Sequence, residues 1–303
     1  MSDSAIKKSS QLGDELLGVE ELGDLLHPFF NTRVGTAVGK GMLKLLKVED
    51  LDQIHAKCRR YTGVDVTSAI LADRRVDVSY TVHGKEHLQR AKEMGAFYTV
   101  SNHPFGALDG VILIDIMGRV RDDYMVLVNG FLDRITALRD YWIPVVPEMR
   151  NRVHHPEQNV MGLKRVAERV IGGHPVGLFP AGGLPHLDDV YGVPLELPWK
   201  LSMVRILQRT SIPILPVMFE GNNSRRYYRF GERRGYNTAA ILIPKEMLSK
   251  RGQNIDVYVG KPIMPDELEP YDTPRSLRRF LMHRSLGLLP SYRDKLDYLD
   301  RMK

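Results

Sequence analysis

FYTVSNHPFGALDGVILIDIMG (residues 97–118) passes from an apolar run to a broken loop to a second apolar run, and that order decides the fold. FYTVS (97–101) is short, aromatic and β-branched, as a buried strand requires. In NHPFGALDG (102–110) the Asn, Pro and Gly residues interrupt any regular repeat and mark a tight turn. The chain resumes as a helix over 108–118, in which VILIDIMG (111–118) is too short to cross a bilayer and belongs inside a folded core. Strand, loop and returning helix form the unit from which α/β sheets are assembled.

Outward from this unit the alternation recurs. VDVSYTV (76–82) alternates as a half-buried strand. YMVLV (124–128), WIPVV (142–146), PVGLF (175–179), IPILPVMF (212–219), AAILI (239–243) and NIDVYVG (254–260) read as further strands. A charged helix is expected over 84–93, and another over 157–171 with Val160, Leu163, Val166, Ala167, Val170 and Ile171 on one face. A third, over 199–209, carries Trp199, Met203, Ile206 and Leu207 as a stripe. Thr273 and Pro274 are an N-cap and first-turn pair for a last, basic helix. The expected fold is α/β: a mixed, largely parallel central sheet flanked by helices. Residues 14–72 show only helical spacing, so a helical N-terminal arm over 1–75 is expected ahead of one compact domain over 76–303.

Composition narrows the partners. Lysines and arginines outnumber acids 43 to 37, a net charge of +6. That surplus suits anionic lipid, an acidic carrier protein or coenzyme phosphates, and equally serves solubility. No zinc-finger spacing, RNP-type aromatic block or basic zipper points to nucleic acid. The single cysteine, Cys58, excludes an internal disulfide framework and a cysteine zinc site. The N-terminus lacks the apolar core of a signal peptide, and no run reaches the roughly 18 apolar residues of a membrane span, so any membrane association is expected to be peripheral.

The chemistry concentrates in the opening loop. Ligands in α/β sheets bind beyond the carboxyl ends of strands, where His103 falls. Pro104 and Gly106 fix the loop, and Asp109 in the first helical turn is placed to accept from one imidazole nitrogen, leaving the other free to take a proton. The plain alternative is a loop histidine and an aspartate that only favours the helix dipole.

Asn102, His103 and Asp109 resemble the NH-x4-D signature of the phosphate and lysophospholipid acyltransferase superfamily. Five residues separate His103 from Asp109 here, and the NHPxGxLDG form is similar to the hemolysin-like branch that includes O-acyltransferases of ornithine- and glycine-lipid synthesis. GLFPAGG (177–183) resembles the superfamily's FPEGTRS: Phe179, Pro180 and Gly182 are retained, while Ala181, Gly183 and Leu184 stand for its glutamate, threonine and arginine. A third block, 198–231, and the connecting segment 127–146 are similar to the same branch, so the likeness spans roughly 35–230.

The resemblance implies that His103 deprotonates the acceptor and that Asp109 orients it. It implies an acceptor pocket shaped by Asn102, Gly106, Phe179, Pro180, Ala181, Gly182 and Gly183, and makes 76–303 the catalytic domain. A fatty acyl group would pass from acyl-CoA or acyl carrier protein, as co-substrate, to a hydroxyl of a lyso-lipid, with no metal or other cofactor. Loss of the arginine at Leu184 removes a bidentate phosphate clamp and shifts the expected acceptor towards a lyso-aminolipid. An N-acyltransferase and a non-catalytic acyl-lipid binder remain as alternatives. The expected location is the cytoplasm, peripheral on the inner face of the membrane, with an anionic surface as partner.

Other signals weigh less. GTAVGKG (35–41) is one residue short of a P-loop and has no preceding strand. His154-His155, His174 and His186 with Asp188-Asp189 lack metal-ligand spacing. No G-x-S-x-G elbow is present. Trp199 and Tyr227-Tyr228 read as packing residues. Gly221, Asn222, Asn223 and Ser224 read either as a turn or as polar groups of a pocket. Arg225-Arg226, Arg233-Arg234, Arg275, Arg278 and Arg279 read as solvated faces or as contacts to anionic headgroups. The stretch 29–47 fits packing on the domain or lying on a bilayer with its lysines among headgroups.

Overall fold

A computed structural model describes residues 32–129, 135–145 and 156–301, with backbone only for 156–160. Residues 14–31, His154-His155, the Val160 side chain and parts of 127–146 lie outside the described residues.

Three helices precede the sheet: α1 (Arg33–Leu45), α2 (Val48–Cys58) and α3 (Asp65–Ala72). Thr32 caps α1, its hydroxyl accepting from the Gly35 amide at 3.0 Å. GTAVGKG lies wholly inside α1. Next come β1 (Ser79–His83), α4 (Lys85–Glu93), β2 (Tyr98–Ser101), α5 (Ala107–Gly118), β3 (Met125–Asn129), β4 (Trp142–Val145), α6 (Pro156–Ile171) and β5 (Val176–Leu178). A small hairpin, β6 (His186–Leu187) and β7 (Pro194–Leu195), leads to α7 (Leu201–Thr210) and β8 (Ile214–Phe219). The chain continues through α8 (Arg225–Arg234), α9 (Tyr236–Ala239), α10 (Ile243–Ser249), β9 (Asn254–Val259), α11 (Pro265–Leu268), α12 (Pro274–Leu286), α13 (Pro290–Arg293) and α14 (Leu296–Arg301).

The main sheet has seven strands in the order β1-β9-β8-β2-β5-β3-β4. Every neighbouring pair is parallel except β8 with β9. The mixed, largely parallel sheet read from the sequence is therefore observed. Strand periodicity divides β8 between two cores: Leu215, Val217 and Phe219 join α5 on one face, and Ile214 and Met218 join α7 and α12 on the other. Ile54, Cys58, Val66, Ile70 and Leu71, from the helices before β1, belong to the first of these cores.

Some expectations need correction. AAILI (239–243) is not a strand but the end of α9, a 3-10 turn over Ala240–Leu242 and the start of α10. Pro244 in the first turn of α10 suits a helix start and offers no N–H to a ladder. Ile241 instead packs against Leu43, Leu46 and Val48. Ile171 is 80% exposed rather than part of the buried face of α6. Trp199 is fully buried but precedes α7, which starts at Leu201. Thr273 caps α12 as read, yet two short helices follow it.

Candidate active site

Three adjacent parallel strands, β8, β2 and β5, end on one side of the sheet. The loops leaving them start at Glu220, Asn102 and Phe179, so the three sequence blocks meet because their strands are neighbours. Asn102 clasps two of these ends: its Nδ2 donates to the Phe219 carbonyl at 2.9 Å, and its Oδ1 accepts from the Phe219 amide at 2.8 Å. That closed pair fixes where the His103 loop begins.

Asp109 is fully buried at the start of α5. Its Oδ2 accepts from the amides of Phe105 at 2.9 Å and Gly106 at 3.3 Å, and its Oδ1 from the Gly110 amide at 3.2 Å. These donors hold the carboxylate rigidly. The His103 Nδ1 lies 3.1 Å from Oδ2. The approach is off the line of a formed hydrogen bond, a looseness common before substrate tightens a site. Gly106 makes the turn possible: its φ is +86°, and a Cβ there would stand 3.1 Å from Ile243 Cδ1.

Phe179 stacks on the His103 ring, centroids 4.2 Å apart. After it the turn closes through the Gly182 amide donating to the Phe179 carbonyl, while the Pro180 carbonyl accepts from the Lys200 amide at 2.9 Å. Ala181 is buried. Gly182, at φ +65°, leaves room for Lys200, whose Nζ would lie 2.8 Å from a Cβ placed there. Gly183 faces Leu197. A cation therefore lies over this turn although Leu184 occupies the arginine position.

Sequence reading missed Glu196. It is 1% exposed, its Oε2 accepts from the His103 amide at 3.3 Å, and its Oε1 has no partner. Burial pushes its carboxyl up to about 8, the His103 amide opposes that, and the Asp109 charge adds to it. At neutral pH it is thus predominantly a protonated acid beside the catalytic candidate. The available signal was a lone acid inside the apolar VPLELPW (193–199).

Two other polar clusters have their partners within the fold. The Asp188 carboxylate accepts from the amides of Val190 and Tyr191 and from the Tyr298 hydroxyl, and His186 stacks on Tyr236. His283, Asp297 and Asp300 lie together, but Asp300 already takes Arg279 at 2.8 Å and His283 at 2.9 Å. A cleft of about 420 Å³ at Arg165, Arg169 and His174 includes residues preceding β5, at the opposite end of that strand from Phe179. Among the described residues no helix is long and apolar enough to cross a membrane.

The chain is 26% identical over 237 residues to a lyso-glycine lipid O-acyltransferase of Bacteroides thetaiotaomicron, covering 76% of this chain and 82% of that protein. It is 27% identical over 239 residues to a protein of the same name from Phocaeicola vulgatus, covering 77% and 81%. The sequence profile of a family described as acyltransferase matches residues 41–291, a span that takes in all three loops at the strand ends. The chain belongs to that acyltransferase family.

Proposed function

We infer that the protein transfers a fatty acyl group from a thioester, carried on coenzyme A or acyl carrier protein, to a hydroxyl of a lyso-lipid with an amino-acid headgroup. The observation that carries this is the His103 imidazole, with Nδ1 3.1 Å from a carboxylate held by three backbone amides. The relatives' names, which specify lyso-glycine lipid and O-acyl transfer, support the acceptor class.

Asp109 keeps the proton of His103 on Nδ1, so Nε2 is free to act as base. Nε2 takes the hydroxyl proton as the acceptor oxygen attacks the thioester carbonyl, forming the new C–O bond. The C–S bond then breaks, and the leaving sulfur receives the proton back from the imidazolium. Phe179 limits rotation of the ring, and the neutral Glu196 adds no second negative charge beside Asp109. The reaction runs at a membrane surface in this reading, supported by Val34, Val38 and Leu45 of α1, which are 69%, 51% and 68% exposed.

The test is acyl transfer to N-(3-hydroxyacyl)glycine from both thioester donors. General-base loss costs roughly 10²–10⁴-fold, so His103→Ala should lower kcat by about that factor with an unchanged circular dichroism spectrum. Wild-type turnover in that variant would refute the role.

A further inference from the structure

A second polar site lies next to the reaction centre. Leu187, Val193 and Pro194, from the β6–β7 hairpin, face Asn223, Arg225 and Arg229, at the start of α8, across a cleft of about 450 Å³. Both walls lead to His103. Pro194 is two residues before Glu196, which receives the His103 amide. On the other side Gly221 packs so closely on Phe105 that a Cβ would stand 2.6 Å from its ring.

Three features of the cleft are unfavourable without a ligand. Asn223 is 6% exposed, yet neither its Oδ1 nor its Nδ2 has a partner, and buried amides are ordinarily paired. Arg225 and Arg229 are one turn apart on the same helix face, where like charges repel. The first turn of α8 has no acid, and basic side chains there oppose the helix dipole. The Glu246 carboxylate offsets the dipole at the N-cap, accepting from the Ser224 amide at 2.7 Å and the Ser224 hydroxyl at 2.6 Å, and those bonds engage it with Ser224 rather than with the arginines. The neighbouring Lys250 ammonium donates to the Asn222 carbonyl at 2.6 Å and adds further positive charge.

We propose that this cleft binds the headgroup of the acceptor, with Arg225 and Arg229 pairing with its carboxylate and Asn223 with its amide. The donor set distinguishes this from a phosphate. An N-acylated amino acid presents a carboxylate and, a few bonds away, an amide with both N–H and C=O. It satisfies the guanidinium donors and both ends of Asn223 together. A phosphate dianion offers only acceptors and leaves the Asn223 Oδ1 unpaired. Leu187, Val193 and Pro194 provide an apolar wall for the carbon chain beside that headgroup. The assignment rests on acyl transfer to a lyso-aminolipid and names what recognises its head.

Binding of N-(3-hydroxydecanoyl)glycine and of its methyl ester is measured by titration calorimetry, apart from turnover. The wild type should bind the acid about 10-fold or more tighter than the ester, the difference a charge-assisted pair supplies. Arg225→Ala with Arg229→Ala should remove that preference and leave ester binding unchanged. Asn223→Ala should weaken both ligands. Both arginines are exposed, and the Lys replacements, which keep charge but lose the planar fork, should recover only part of the preference. In turnover the double variant should raise KM for the acceptor and leave that for the donor unchanged. Equal wild-type binding of acid and ester overturns the proposal, as does a rise in donor KM alone, which would place the donor's phosphate here. If the acid preference holds but no transfer occurs, the headgroup site stands and the acyl-transfer reading falls. Transfer without any preference has the reverse meaning.

Discussion

Asp109 and Glu196 show how burial gives two carboxyl groups opposite roles within one loop cluster. Asp109 has both oxygens engaged by backbone amides. Glu196 has a single amide and an orphaned oxygen, so burial keeps it protonated up to about 8. The folded protein therefore holds a proton that the unfolded chain releases from about 4.5 upward. Its stability is fully present below that ordinary carboxylate value and falls as pH rises towards 8. Glu196→Gln, which cannot ionise, should remove this dependence. Melting temperatures of the two proteins should be close near pH 4.5 and diverge in favour of the variant by pH 8; a constant difference would contradict the buried acid. His103 and Asp109 were legible in the sequence because strand end, turn and helix start are local features. Glu196 was not, because its distance from His103 along the chain is large and only the hairpin brings it back.

At the scale of elements, α5 explains why an aspartate lies inside VILIDIMG. Asp115, 4% exposed, accepts from Thr67 at 2.8 Å, Ser68 at 2.6 Å and Tyr80 at 2.5 Å, tying α5 to α3 and β1. Burial alone would push its carboxyl up, but these hydroxyls and Arg119 hold it below the usual range. Asp115→Ala leaves the Tyr80 hydroxyl without its acceptor, while Thr67 and Ser68 can still donate to the Val64 carbonyl, a loss of about 2 kcal/mol. The urea midpoint should fall accordingly at unchanged m value; a loss under about 0.5 kcal/mol would show that water replaces the carboxylate. Period and turn residues located β2, β3, β4, β5, β8 and β9 well. AAILI misled because a short apolar run has the same pattern in a strand and in a buried helix, and its burial against α1 and α2 is a tertiary fact.

For the whole molecule, the proposed membrane contact draws on the +6 charge and the outer face of α1. Val34, Val38 and Leu45 project on one side while Leu43 is buried on the other, and Lys40 and Lys44 flank them. We propose that this face inserts into a headgroup layer, with lysines adding attraction to anionic lipid that salt screens. Replacing Val34, Val38 and Leu45 by serine should lower sedimentation with phosphatidylglycerol vesicles about 10-fold, since each buried CH₂ contributes ~0.8 kcal/mol. Binding of the wild type should also weaken between 0.05 and 0.5 M salt, as the Debye length falls well below about 10 Å. Undiminished binding by the triple variant would locate any membrane contact elsewhere.

By itself the sequence determined the α/β alternation, the His103 loop and the family likeness, because strand period, turn residues and a nine-residue motif are local properties of the chain. Tertiary structure decided what those parts meet. Strand order placed β8, β2 and β5 side by side, so that loops distant in sequence share one site. The β6–β7 hairpin returned Glu196 to the His103 loop, and the start of α8 set Arg225 and Arg229 across a cleft from it. Contacts between distant segments depend on strand adjacency and on which face of an element is buried, and local spacing carries no record of either.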